Sequence, residues 1–357
     1  MKKNILFINQ NQFGYHITYY KYCKNLVKDD YNITFLCWDY GRTRISIDGI
    51  KVYYSSRNGN IIQRNIRFIK QATTLIRRGS FDVVFVKYFR GCFLLPLLCS
   101  KKQYFHLDIV TGGISKNDFK RSMYNHILKF ESRFFNNVST ISEGLKSILK
   151  LSDETKIFPL GADPVHVQRI PKARLSLLYV GVLSSRNIID TVEGVRLFLK
   201  DHPSADIHYT IIGGAWNNEA DELKSKIERD KLENVIELHG YIPHNNLINF
   251  YANANAGVSY IPVKPWYEFQ PATKTFEYLM AGMPVIATST CENRRVINSR
   301  NGLLIDDNAI SFSEALGKIY DNIGSYDEEE IRESVSQYRW EKLVSNLKAY
   351  LSDIEVV

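Results

Sequence analysis

The sequence predicts two successive parallel α/β domains, each a sheet covered by helices on both faces. Three observations carry this. Short apolar runs alternate with amphipathic stretches over the first 150 or so residues. After Leu160-Gly-Ala-Asp-Pro164 and a polar, basic stretch to Arg174, the same alternation starts again. A chain of 357 residues, 45% of them hydrophobic, has the length and the apolar content for two ordinary cores.

In the first half, Ile5–Ile8, Ile33–Leu36, Val83–Val86, Tyr104–Val110 and Val138–Ile141 read as strands. Residues 15–28, 61–77, 116–135 and 143–150 read as helices. In the second half, strands are expected at Leu175–Gly181, Ile207–Ile212, Val235–Leu238, Gly257–Ile261 and 284–287. Helices are expected at 187–201, 218–231, 244–253 and 271–281. The boundaries that follow are a first domain at 1–162, a linker at 163–174, a second domain at 175–337 and a final helix at 338–357.

Composition excludes several classes. The N-terminus has an apolar run of only four residues, too short for the centre of a signal peptide. The longest other apolar stretch, Gly91–Cys99, is half the length of a membrane span and contains Pro96. A cytoplasmic protein is therefore expected. Five cysteines without CxxC spacing read as reduced thiols, not as a disulfide frame or a zinc site. No GxGxxG, P-loop or HExxH motif occurs, which argues against dinucleotide dehydrogenases, P-loop NTPases and zinc hydrolases.

The net charge of +8 hides an asymmetry. Residues 1–165 carry 26 Lys+Arg against 12 Asp+Glu, a net +14, whereas the remainder is −6. The first half thus suits an acidic partner: an anionic membrane surface or a lipid-linked diphosphate. Dispersed solvating lysines are the plainer account. Nucleic acid is the weakest choice, because no nucleic-acid-binding signature accompanies the charge.

The densest information lies at 266–288. Pro271 suits the first turn of a helix, Gly282 the position just past its end, and Pro284 blocks continuation. The N-terminus of such a helix is an anion site. Lys274 and Glu277 lie three residues apart and share a face, about 4.5 Å along the axis. A cation for phosphate and a carboxylate for ribose hydroxyls at that offset would hold a nucleoside diphosphate. An exposed Lys–Glu pair on a surface helix is the plainer reading of the spacing alone.

The stretch Pro271-Ala-Thr-Lys-Thr-Phe-Glu-Tyr278, followed by Gly282-Met-Pro-Val-Ile-Ala287, resembles the donor-binding signature of the family-four glycosyltransferases. These are retaining enzymes of the GT-B fold, with two Rossmann-like domains facing each other across a donor and acceptor cleft. The resemblance implies that Glu277 holds the donor ribose and that Thr273 belongs to the donor site. The family's other glutamate falls at Phe269, with Glu268 one residue off register as a contact to the transferred sugar. Leu178-Tyr-Val-Gly-Val-Leu-Ser-Ser-Arg-Asn187 corresponds to the family's diphosphate-binding turn. Val182 replaces the first basic residue there, so Arg186 becomes the main clamp and Lys274 its supplement. Gly213, Gly240 and Tyr241 end two strands and are implied contacts to the donor and its base.

On the acceptor side the resemblance implies the loop carrying Gly14, together with His106 and Asp108 at a strand end near the transferred sugar. Asp108 is the better catalytic candidate, and His106 also reads as a core residue. No Asp-x-Asp occurs, so no metal and no cofactor are expected. Basic side chains and a helix N-terminus would replace the ion. The implied activity is transfer of a sugar from a nucleotide donor to a glycan, lipid-linked as in capsule or O-antigen assembly, at the inner membrane face. A sugar-nucleotide epimerase and a non-catalytic nucleotide-sugar-binding subunit are the competing readings.

Overall fold

The computed structural model describes residues 2–29, 31–99, 103–165, 174–243 and 246–354. They fall into two compact units, 1–160 with 340–357, and 161–339. Most of the 163–174 linker expected from the sequence lies outside the described residues.

The first unit is built on a parallel seven-stranded sheet. Its strands are β1 (Asn4–Ile8), β2 (Asn32–Asp39), β3 (Ile50–Ser56), β4 (Val83–Lys87), β5 (Tyr104–Ile109), β6 (Asn137–Thr140) and β7 (Lys156–Ile157), in the order β3-β2-β1-β4-β5-β6-β7. Ile5, Leu6, Phe7 and Ile8 are all fully buried, because both faces of β1 are covered. The helices are α1 (Ile17–Leu26), α2 (Ile61–Arg78), α3 (Leu94–Leu98), α4 (Asp118–Ser132) and α5 (Glu143–Leu149). Helix α2 starts sharply because Asn60 and Gln63 form a reciprocal capping box. The C-terminal helix, α13 (Trp340–Asp353), belongs to this unit and packs Trp340 edge-on to Tyr22 of α1. Lys3 donates to the carbonyls of Leu351 (2.6 Å) and Ile354 (2.8 Å), a cation on the negative end of that helix.

The second unit repeats the plan with six parallel strands. They are β8 (Leu175–Val180), β9 (Ile207–Ile212), β10 (Ile236–His239), β11 (Ala256–Ser259), β12 (Val285–Thr288) and β13 (Gly302–Ile305), ordered β10-β9-β8-β11-β12-β13. The order reverses between β8 and β11, as it does between β1 and β4 in the first unit. That switch point at the carboxyl ends of the strands is where open α/β sheets bind ligands. The helices are α6 (Ile189–Asp201), α7 (Glu219–Arg229), α8 (Ile248–Asn253), α9 (Thr273–Met280), α10 (Cys291–Val296), α11 (Ala309–Asn322) and α12 (Glu328–Glu333).

The structure differs from the sequence reading in three places. Pro271 is not in the motif helix: Ala272 is extended (φ −90°, ψ 121°), so α9 begins at Thr273. Helix α8 begins at Ile248, and residues 244–245 of the expected helix lie outside the described residues. Strands β3, β7 and β13 and helices α3, α10, α11 and α12 were not read from the sequence, whereas the final helix was, and it begins at Trp340. Residues 51–54 are exposed or half-buried, which marks an edge strand whose alternation is weak.

Candidate active site

Helix α9 is positioned by its own sequence. Gly282 takes φ +75°, and the N–H groups of Met283 and Gly282 donate to the carbonyls of Tyr278 and Leu279, closing the helix as a Schellman motif. At the other end no side chain caps the helix, because Ala272 has nothing to offer. The first N–H groups of the helix therefore have no capping side chain among the described residues, and only that of Thr275 is turned back onto the Ala272 carbonyl. Tyr278 lies against Gly257 of β11, where a Cβ would come 2.4 Å from the ring, and its hydroxyl accepts from the N–H of Val180. A buried chain of Ser259, Thr275 and Asn293 hydroxyl and amide groups fixes α9 to β11 and α10.

The cations converge on this helix end. Lys274 is 9% exposed, and its Nζ has no hydrogen-bond partner among the described residues. It lies 3.9 Å from the Tyr179 ring centroid. Burial, and then the like charge of Arg186, pull its pKa from 10.5 down to about 7, against the pull of Glu277. Arg186 is half-buried, sits 4.3 Å over the ring of Tyr267, and has one terminal nitrogen, Nη1, shut from water without a partner. The turn that carries it is held in a tight form by Ser185 and Asn187, both left-handed, with the Ser185 N–H on the Glu219 carboxylate. Glu277 lies on the same face of α9 and accepts from the Tyr251 hydroxyl at 3.3 Å.

Backbone approaches closely around these groups. A Cβ on Gly181 would stand 2.9 Å from Lys274 Nζ, and one on Gly213 would collide with the Gly181 carbonyl at 1.8 Å. Gly213 donates to His239 O, which ties the loop after β9 to the end of β10. Gly240 and Tyr241 follow directly. Gly240 has open space where a side chain would be, and Tyr241 is 79% exposed. Val182, at the place of a basic residue, points outward, while its carbonyl accepts from Tyr179. Glu268 is tethered: Oε1 accepts from the Cys291 N–H (3.1 Å) and from Arg294 (2.9 Å).

Arg186, Gly213, Thr273, Lys274 and Glu277 thus gather at one end of one sheet. Tyr179, Tyr251 and Tyr267 were not read from the sequence. Only Tyr267 carried a signal, as half of the Trp266-Tyr267 pair before the motif.

In the first unit the loop after β1 is ordered by Gly14 (φ +90°), where a Cβ would meet Ile45 at 2.3 Å. Asp108 does not open onto the strand end. It is 2% exposed, accepting from Tyr19 and Ser139 at 2.7 Å each. Because Ser139 gives its proton to Asp108, it accepts from His106 Nε2 (2.9 Å), and His106 Nδ1 accepts from Tyr350 (2.7 Å). Burial pushes His106 down to about 3, so it is a neutral core imidazole stacked on Phe85. Lys87 ends β4 and donates to Asn11 at 2.7 Å. Burial lowers its pKa to about 8, with Asp108 opposing. This lysine, signalled only as the residue after an apolar run, is the group at the switch point of the first sheet.

Residues 174–322 match the family described as Glycosyl transferases group 1. Over 156 residues the chain is 24% identical to a D-inositol 3-phosphate glycosyltransferase of Arthrobacter sp. (strain FB24), covering 43% of this chain and 36% of that protein. Solved structures match over nearly the whole length. Sucrose-phosphate synthase (tll1590) from Thermosynechococcus elongatus has a TM-score of 0.78 at 14% identity, covering 99% of each chain. Anabaena Alr3699/HepE in complex with UDP and glucose has 0.76 at 12% identity, covering 98% of this chain and 99% of that one. The lipopolysaccharide outer core galactosyltransferase WaaB has 0.71 at 15% identity, again over 98% and 99%. At these identities the structures establish the fold: a two-domain, Rossmann-like α/β protein of the GT-B type. The stretch that matches the glycosyl transferases group 1 family lies in its second unit.

Proposed function

We propose that this protein transfers a sugar from a nucleoside-diphosphate sugar to a glycan acceptor, with retention at the anomeric carbon and without a metal ion. One observation carries the reading. Within the stretch that matches the group 1 family, Arg186 and Lys274 converge on the uncapped N-terminus of α9, with no carboxylate among the described residues hydrogen-bonded to either. Two like charges held beside a positive helix end need an anion of high charge, and a diphosphate is that anion. Glu277, on the same helix face, takes the ribose hydroxyls. Gly213, Gly240 and Tyr241 surround the base, Thr273 supplies a backbone N–H, and Glu268, its orientation fixed by Arg294, meets the donor's sugar.

Charge that develops on the departing diphosphate is then stabilised by groups already in place, which is the largest electrostatic term a site of this kind can offer. In the first unit, Gly14 shapes the acceptor loop. Asp108 and His106 act from beneath as positioning residues, with Asp108 setting the charge environment of Lys87. The test is incubation of the full-length protein with nucleotide sugars and glycan acceptors, with and without a chelator. Transfer is expected at an unchanged rate in excess EDTA. Loss of activity restored by a divalent cation would overturn metal independence. Release of free nucleotide and an epimerised sugar without acceptor would point to an epimerase instead.

The acceptor belongs in this reading to a membrane-borne glycan, as in capsule or O-antigen assembly, with the protein peripheral on the cytoplasmic face. The support is on α4 and the segment before it. Ile114, Phe119 and Met123 are 57%, 76% and 45% exposed, beside the exposed Lys116 and Lys120. Arg121, on the same helix, is paired with Asp118 and so is not counted with them. Cosedimentation with acidic vesicles is expected, each lysine at the surface contributing about 1 kcal/mol. Binding should weaken with salt and with Lys116→Gln/Lys120→Gln. Equal binding to neutral vesicles would refute it.

A further inference from the structure

Three arginines of the first unit have no carboxylate partner and share two aromatic rings. Trp38 is the last residue but one of β2, and Tyr40 follows the strand, the two rings 6.3 Å apart. The Arg57 guanidinium carbon lies 3.9 Å from the Tyr40 centroid and 5.6 Å from that of Trp38. Arg64 of α2 approaches Trp38 at 5.4 Å. Arg42 lies 5.7 Å from Tyr40 and 4.9 Å from Tyr15. The carboxylate nearest in sequence, Asp39, is taken by Arg44 (2.7 Å) and the Gly41 N–H. None of Arg42, Arg57 and Arg64 forms an ion pair among the described residues.

The cluster also holds donors without acceptors. Nε of Arg57 and Nε of Arg64 are shut from water with no hydrogen-bond partner, and so is the indole Nε1 of Trp38, a residue 7% exposed. Buried donors left unmade are costly, and three neighbouring guanidiniums repel one another. Two neighbouring arginines are by contrast satisfied: Arg67 donates to the carbonyls of Ser56 and Asn58, and Arg44 has Asp39. The α2 N-terminus is not the attractor, since Asn60 already caps it.

We infer that Arg42, Arg57 and Arg64 form a second oxyanion site, separate from the one at α9, that takes a phosphate ester. Planar guanidinium forks match tetrahedral phosphate oxygens, and three of them suit a dianion better than a single carboxylate. The cations already lie over the rings, so the site does not read as a nucleobase shelf. Resting on the glycosyl-transfer reading, the phosphate would be the acceptor's, which makes the acceptor a sugar phosphate or a lipid-linked phosphate.

The test uses the full chain with its α9 site filled by saturating nucleoside diphosphate. Glucose 1-phosphate is titrated calorimetrically, and phosphatidylcholine vesicles with and without phosphatidate are cosedimented. The Arg57→Gln/Arg64→Gln variant should lose at least about tenfold in affinity for one or both probes, the size expected for charge-assisted bonds lost. Nucleoside-diphosphate affinity should not change. Loss of the soluble ester identifies a free sugar phosphate, and loss confined to phosphatidate vesicles identifies a lipid head group. If that variant does not fold, Arg42→Gln, at an exposed position, should show the loss on its own. Affinities for both probes that ignore all three arginines would overturn the inference. Failure of the nucleoside diphosphate to bind at all would instead count against the donor site, and the two failures are read in separate titrations.

Discussion

Replacing Arg186 with Ala is expected to weaken nucleoside-diphosphate binding by about ten- to a hundredfold and to leave the affinity for the bare nucleoside unchanged. The guanidinium rests on the Tyr267 ring and has a terminal nitrogen with no partner, so its only strong use is toward an incoming oxyanion. Glu277→Gln should give the complementary pattern, a loss of similar size for both ligands, because the ribose is common to them. An amide keeps the size of the side chain but can accept on one side only, so the two hydroxyls of a ribose cannot both be met. The Tyr251 hydroxyl at 3.3 Å can still donate to the amide oxygen, which keeps the local packing and makes folding a poor explanation for any loss. Calorimetry with each ligand on each variant gives four numbers. If Arg186→Ala costs nucleoside and diphosphate equally, the guanidinium does not stand on phosphate. If Glu277→Gln changes neither, the carboxylate does not hold the ribose.

The sheets were legible in the sequence because their central strands are buried on both faces and read as unbroken apolar runs, Ile5–Ile8 and Val83–Val86 among them. Strand β3 was not, since an edge strand with half-exposed residues carries little period. The start of α9 was misplaced by two residues: proline tolerates the first helical position but also the extended segment before it, and here Ala272 adopts the extended form. Lys274 and Glu277 were legible as a pair on one helix face. That Lys274 is buried was not, because its burial comes from Tyr179 and Gly181, nearly a hundred residues earlier. Asp108 shows the converse limit. Alternation along β5 puts it on one side of the sheet, but whether that side opens to a ligand depends on Tyr19 and Ser139, which belong to other elements.

Binding of a nucleoside diphosphate at pH 8 is expected to take up close to one proton, and the Lys274→Met variant to take up none. Burial and the neighbouring Arg186 charge hold Lys274 near 7 in the free protein, so at pH 8 most molecules carry a neutral amine there. A diphosphate placed against it restores the charged form and raises its pKa. Uptake should therefore be near zero at pH 6, where Lys274 is charged in both states, and grow as pH rises through 7. Calorimetry in two buffers of different ionisation enthalpy reads it directly. Affinity should fall over the same interval, by at most about tenfold per pH unit, since a proton must be supplied for each ligand bound. The stability of the unliganded protein should move the other way. The folded pKa lies below the unfolded 10.5, so the unfolded chain binds more protons between about 7 and 10.5, and this residue's contribution favours folding increasingly across that window. Lys274→Met should remove that rise. Arg186→Ala, by removing a like charge that lowers the lysine, should shift the onset of uptake to higher pH. Proton uptake that is absent at pH 8, or that persists in Lys274→Met, would place the diphosphate away from this ammonium.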